Sequence, residues 1–268
     1  MSEREVYPNS PLALVAIEVR HPTAAPLSST QEAEIKRGVA SVTPLSKPAH
    51  VQTVTITAGL NLGKPDISTQ TSPRFMSRDK ALSVTFRDDA LVVETTRYER
   101  YEVLRKLVIL ALKVRQNVAP VDGIERVGIR YINEVRVPYV ETPTNWQDWV
   151  QPALSGPTTL KTPAGLDLNS WQGVTLFGDP AQEAALVRHG LHEGYAVNPG
   201  GDLRRKTPPP GPFFLIDIDS YWLSTEETPA ATPENTLTCL DRLNTSAREL
   251  FESVITDRLR NEVLRNGI

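Results

Sequence analysis

At 268 residues the chain is long enough for one large domain or two ordinary ones, and it can bury most of its apolar surface without disulfides or a structural metal. Its one cysteine, Cys239, excludes an internal disulfide and a cysteine-rich zinc site, and suits a reducing compartment. Lys and Arg total 29 against 32 Asp and Glu, a net charge of −3 that supplies no general attraction to phosphate backbones; with aromatics at only 6%, nucleic acid is the least favoured partner.

The opening MSEREVYPNSPLALVAIEVR has charges but no long apolar core and no small-residue cleavage site. Its apolar run Leu12–Val19 contains Glu18 and falls short of the roughly 20 residues a membrane helix needs, as does every later segment. A cytoplasmic protein with no membrane partner is expected.

Leu12–Arg20 is apolar on both alternating faces until its end, the mark of a central strand. Ser29 and Glu32 have capping-box spacing, which predicts a short helix from about Thr30 to Ser41. Val51–Thr57 alternates and is rich in β-branched residues, so it reads as a half-buried strand. Residues 59–80 carry turn formers and weak periodicity, a long loop or a ragged strand. Leu82–Phe86 and Leu91–Thr95 flank Asp88-Asp89 as a hairpin. Thr96 and Glu99 make a second capping box ahead of a helix whose stripe includes Tyr101, Leu104, Leu107, Val108, Ala111 and Leu112. A long strand then runs from Ile124 to Pro138.

In the second half, TPTNWQDWV predicts a short amphipathic helix from about Thr144. A Pro- and Thr-rich stretch, Pro152–Pro163, separates it from a strand pair, Trp171–Phe177 and Glu183–His189. Leu203–Pro212 is a basic, proline-rich loop, and Phe213–Leu223 an emphatic strand. Thr232 as N-cap and Pro233 at the first helical position open an apolar stripe that continues to Val263; some thirty helical residues would span about 45 Å. The fold class expected is α+β: mostly antiparallel sheets in two lobes, residues 1–142 and 143–268 or one continuous domain, with helices on one face and a long C-terminal helix. That helix is long enough to cross both lobes or to join a homodimer.

Asp217 and Asp219, two apart on a strand, project from one face. Such a D-x-D ligates Mg²⁺ in phosphoryl-transfer enzymes, and IDID is locally similar to a nucleotidyl-cyclase palm strand. No Gly-Gly-Asp-Glu-Phe turn follows, however, and no phosphate-cradling glycine loop exists. An ion-paired strand face is the plainer account. Arg126, Gly128, Arg130, Ile132, Glu134 and Arg136 share one face of their strand, and Arg130 or Arg136 is expected opposite an aspartate. His189 and His192 have a spacing that suits a metal only on a helix, which Gly190 and Gly194 argue against; His21 and His50 are the only other histidines. Arg204, Arg205 and Lys206, followed by three prolines, form a stiff, exposed loop suited to a partner contact. Serine-nucleophile, P-loop, dinucleotide and zinc motifs are absent, and no cofactor is expected.

Three stretches carry a family resemblance: PNSPLALVAIEVR at 8–20, GIRYINEVRVP at 128–138, and FLIDIDSY at 214–221 with FESVITDRLR at 251–260. Together the chain resembles a sporadically distributed, uncharacterised bacterial and archaeal family, except that Leu14 stands where an acidic residue is common. The resemblance implies no activity. Patchy occurrence implies horizontal transfer, as in phage defence or toxin–antitoxin modules. The expected function is a non-catalytic protein-binding or regulatory module; the alternative is a metal-dependent enzyme on a nucleotide or phosphate ester, with Asp217 and Asp219 as ligands and Arg130 as anion clamp.

Overall fold

A computed structural model describes residues 5–55, 66–138, 146–161, 163, 164, 166 and 168–266. Its strands are β1 (Leu12–Arg20), β2 (Leu45–Ser46), β3 (Ala49–Thr55), β4 (Asp66–Ser72), β5 (Arg74–Met76), β6 (Leu82–Phe86), β7 (Ala90–Thr95), β8 (Arg126–Val135), β9 (Trp171–Asp179), β10 (Glu183–Gly194) and β11 (Gly211–Leu223). Nine of them form one antiparallel sheet in the order β2-β5-β6-β7-β1-β8-β11-β10-β9, and β3 pairs with β4 separately. The fold is α+β. The two halves of the chain meet inside the large sheet, where β8 pairs with β11 from Val135↔Phe214 to Arg126↔Leu223.

Alternation decides which face is covered. In β1, Ala13, Val15, Ile17 and Val19 are buried, Leu12, Leu14, Ala16 and Glu18 are half-buried and Arg20 is exposed. In register with them stand Val127, Ile129 and Tyr131 of β8, then Ile216 and Ile218 of β11. Three helices lie on this apolar side: α1 (Ser29–Val39), α2 (Tyr101–Val118) and α3 (Pro233–Val254), with α2 against β7 and α3 against β8 and β11. Trp146 also packs here, 5.4 Å from the Phe214 ring.

Several local expectations shift. The capping box of α1 forms one residue earlier, between Ser28 and Gln31. For α2 no side chain caps the first turn; the Thr96 hydroxyl instead donates to the Ala81 carbonyl, because the helix begins only at Tyr101. Of residues 59–80, expected as a long loop or a ragged strand, 59–65 lie outside the described residues and the rest holds β4 and β5, the latter in a ladder that pairs Phe75 with Val84. Residues 56 and 57 of the expected strand, and Thr144 of the expected short helix, lie outside the described residues; Trp146–Asp148 forms a 3-10 turn.

The C-terminal helix is shorter than its periodicity suggests. Thr232 caps it through the Asn235 amide, but it stops at Val254, about 33 Å by helical rise over its 22 residues. Ile255 turns extended and bridges Val150, with Gln151 N–H donating to Val254 and Thr256 N–H to Trp149. A π-helical segment, Leu259–Leu264, then buries Leu259 and Val263, so the apolar period continues across a break in the backbone. The stripe faces inward: Leu237, Leu240, Leu243 and Ala247 are buried against the sheet. Among the described residues no helix is long and apolar enough to cross a membrane.

Candidate functional site

The sheet face opposite the helices carries a row of alternating charges. Arg130 stands opposite Asp219 in the β8–β11 register, yet its long side chain reaches diagonally to Asp217, Nε to Oδ1 at 2.7 Å and Nη2 to Oδ2 at 2.6 Å. Arg188 of β10 lies 3.5 Å from the same Oδ2. Asp219 is 3.4 Å from Arg126 Nη2, whose Nη1 donates to Glu18 Oε1 at 2.9 Å. Glu18 in turn accepts from Arg20 at 2.7 Å and lies 3.6 Å from Arg87.

Gly128 leaves room for this row. A Cβ there would sit 2.5 Å from Arg126 Nη1 and push that flexible guanidinium from its place across the strand, 5.0 Å from the centre of the Tyr221 ring. Asp217 is 2% exposed and both its oxygens face guanidinium groups, which compensate the cost of burying its charge. Burial raises the pKa of Asp219 against the pull of Arg126 and Arg130. The D-x-D therefore meets arginines. Among the described residues no group of three or more His, Cys, Asp or Glu side chains gathers as a metal would require.

Residues 195–210, joining β10 to β11, form a strap over one end of this face. Buried Glu134 anchors it, accepting from the Ala196 amide at 2.9 Å and from Arg205 Nη2 at 2.6 Å. Farther on, Arg204 N–H donates to Lys80, and Asp202 pairs with Arg74 and Lys47. Arg136 does not meet an aspartate: it bonds Glu134 and Gly194 and lies over Phe213 at 5.5 Å. Of the basic triplet, Arg204 and Lys206 are exposed, but the Arg205 side chain is only 7% exposed. Arg205→Ala should therefore lower the melting temperature, costing about 1–3 kcal/mol by leaving Glu134 short of a donor. Lys206→Ala should stay within about 0.5 kcal/mol of wild type. Equal melts for both variants would mean that the strap is not anchored through Arg205.

His189 and His192 both lie in β10, where a spacing of three sends side chains to opposite faces. His189 is 3.2 Å from the Leu154 carbonyl and beside Trp171, whereas His192 stacks on Phe213. Burial lowers both pKa values.

At the sheet's edge, β9 has a neighbour on one side only among the described residues. Val174, Leu176 and Phe177 are 62%, 45% and 46% exposed, an apolar edge whose one charged side chain, Asp179, stands at the strand's end.

The helix side holds a cleft of about 1150 Å³. Its walls are the segment Glu5–Leu12, the start of α2 and the α3 face around Asn244 and Phe251, with Tyr131 and Asn133 of β8 beneath. Tyr131 donates to Asn244 Oδ1 at 2.7 Å, and Asn133 Nδ2 donates to the Ile216 carbonyl at 2.9 Å. Tyr98 meets Tyr131 edge to face, with ring centroids 5.9 Å apart. Tyr101 and Arg105 both donate to Asp241, at 2.6 Å and 2.9 Å.

No known family model and no curated protein matches this chain.

The charged row was sought from sequence, and there Arg130, Asp217 and Asp219 do come together. Arg136 and Arg205 gather instead on Glu134, and Arg204 and Lys206 stand apart from both groups. The cleft was missed. Its signal was nonetheless present: Tyr131 and Asn133 are polar groups on the inner face of β8, between buried Ile129 and Val135.

Proposed function

We propose that the protein is a non-catalytic module that binds another protein, and that it does so by adding a strand at β9. The supporting observation is the open edge itself: nine residues of strand paired, among the described residues, on one side only, with Val174, Leu176 and Phe177 exposed. An extended segment with alternating apolar side chains would continue the ladder there, main-chain bonds giving affinity and the exposed apolar side chains specificity. The edge also suits a second copy, β9 against β9, in place of the α3 seam expected from sequence. The resemblance to a sporadically distributed bacterial and archaeal family supports a place in a mobile defence or toxin–antitoxin system. A lone, buried Cys239 fits the cytoplasm. The partner is sought first among the products of adjacent genes.

Co-expression with each neighbour, followed by light scattering on the purified material, tests this. Wild type should form a complex or a homodimer. The double variant Val174→Lys, Leu176→Lys should lose it at least tenfold in affinity with an unchanged melt, since both side chains are already exposed. A complex that survives both lysines overturns the assignment to β9, and a chain that stays monomeric beside every neighbour overturns protein binding.

A further inference from the structure

The cleft between α2, α3 and the segment Glu5–Leu12 has no part in that edge, and its chemistry points to a different ligand. Two amides at its floor are almost wholly buried, Asn133 at 3% and Asn244 at 4% exposure. Each is held by half of its hydrogen-bonding capacity. Asn133 places its NH₂ on main-chain carbonyls, and Asn244 places its oxygen on the Tyr131 hydroxyl. Among the described residues nothing meets the remaining acceptor, Asn133 Oδ1, or the remaining donor, Asn244 Nδ2. Both remaining groups lie in the lining of the open cleft, so the floor offers one acceptor and one donor to a ligand that supplies the complement.

The walls narrow the choice. Tyr7, Tyr98 and Phe251 flank the floor with aromatic surface suited to a planar ring. At the mouth stand Arg100, Tyr101 and Glu102, the start of an 18-residue helix whose N-cap residue makes no side-chain cap; its Val103 amide is met by the Arg100 carbonyl, which leaves those of Tyr101 and Glu102 for an anion. Arg100 stands at that helix start and Arg248 on the opposite wall, both exposed and without an ion-pair partner among the described residues. Five carboxylates also line the cleft: Glu5, Asp241 and Glu252 are paired with Arg265, Arg105 and Arg260, while Glu99 and Glu102 weaken the field at the rim, so an anion would rely on direct N–H donors and the two guanidinium groups. A ring that both donates and accepts along one edge, bearing an anionic tail, matches floor and mouth together.

We propose that this cleft binds a nucleotide, its base on the Asn133–Asn244 floor between aromatic walls and its phosphates at the start of α2 with Arg100 and Arg248. The volume, about 1150 Å³, lies just above the range of about 300–1,000 Å³ common for ligand sites and holds base, sugar and phosphates at once. A near-neutral chain gives no track for a nucleic-acid strand, but a single nucleotide needs only one local mouth.

Titration calorimetry and thermal melts of the full chain with ATP, GTP, CTP and UTP, each beside its nucleoside, and with inorganic triphosphate alone, test the proposal. At least one nucleotide should bind and raise the melting temperature. Its nucleoside should bind about tenfold or more weakly, and triphosphate alone should not saturate. Asn244→Asp keeps the oxygen that accepts from Tyr131 and replaces the free donor, so it should weaken the favoured nucleotide at least tenfold. Arg248→Glu, at an exposed position, should bring the nucleotide down toward its nucleoside and leave the apo melt unchanged. The proposal is overturned if no nucleotide shifts the melt at millimolar concentration, or if triphosphate binds as well as the nucleotide, which marks an anion site only. It is equally overturned if Arg248→Glu leaves nucleotide affinity intact, an outcome readable even should Asn244→Asp fail to fold.

Discussion

Asp217→Asn should destabilise the protein by about 2–3 kcal/mol, below the 3–5 kcal/mol typical of a broken buried pair because Arg130 is 42% exposed and can recover some hydration. The carboxylate it removes is 2% exposed and is shared by Arg130 and Arg188. Asp219→Asn should behave differently. Its carboxylate has one long contact, 3.4 Å to Arg126, and burial raises its pKa, so its charge is already disfavoured in the folded state. A folded-state pKa above the unfolded one means that stability falls as pH rises from the usual carboxylate range through that raised value. Neutralising Asp219 should remove this loss and leave stability unchanged or slightly higher at neutral pH. Urea denaturation of both variants, with and without Mg²⁺, separates the cases. Equal costs would show that the pairing with Arg130 carries no stability. A metal-dependent rise in wild type, lost in Asp217→Asn, would show that the two carboxylates hold a cation.

Leu240→Ala should cost about 2–5 kcal/mol, the range for emptying a fully buried leucine site. Leu240 is 0% exposed on the α3 face against the sheet, and Leu243 is 1% exposed beside it. Leu250 is only half-buried, so Leu250→Ala should cost clearly less even though both sit on the same apolar stripe. Equilibrium denaturation of the pair reads the difference. If the two lose the same amount, α3 does not seat on β8 and β11 through its first four turns.

β1 was legible as a short run apolar on both faces, and β8 and the β6–β7 hairpin because a period of two needs only neighbouring residues to show itself. The stripe of α3 was equally legible, but its end was not. Ile255 is as apolar as a helical residue at that position would be, and what stops the helix is a main-chain bridge to Val150, far back in sequence. The basic triplet failed for a related reason. Arg205 resembles a solvated charge until Glu134, 71 residues earlier, is placed beside it. Arg130 was expected near an aspartate, and the register puts Asp219 opposite; only side-chain reach explains why it bonds Asp217. The cleft was the hardest to see, since its floor and walls come from β8, α2, α3 and the segment ahead of β1.

The place of β8 has a consequence for the nascent chain. Once β1, β7 and β8 have left the ribosome they can pair, but the other side of β8 must wait for β11, residues Gly211–Leu223. At about 5–20 residues per second that wait is on the order of ten seconds, during which β8 is an open edge able to recruit a strand from another molecule. Arg126 and Arg130, which later meet Asp219 and Asp217, stand along that edge throughout the interval. Arg126 can already meet Glu18 of β1, whereas Arg130 waits for Asp217, and until then its guanidinium would act as a charged guard against one growing chain annealing to the next.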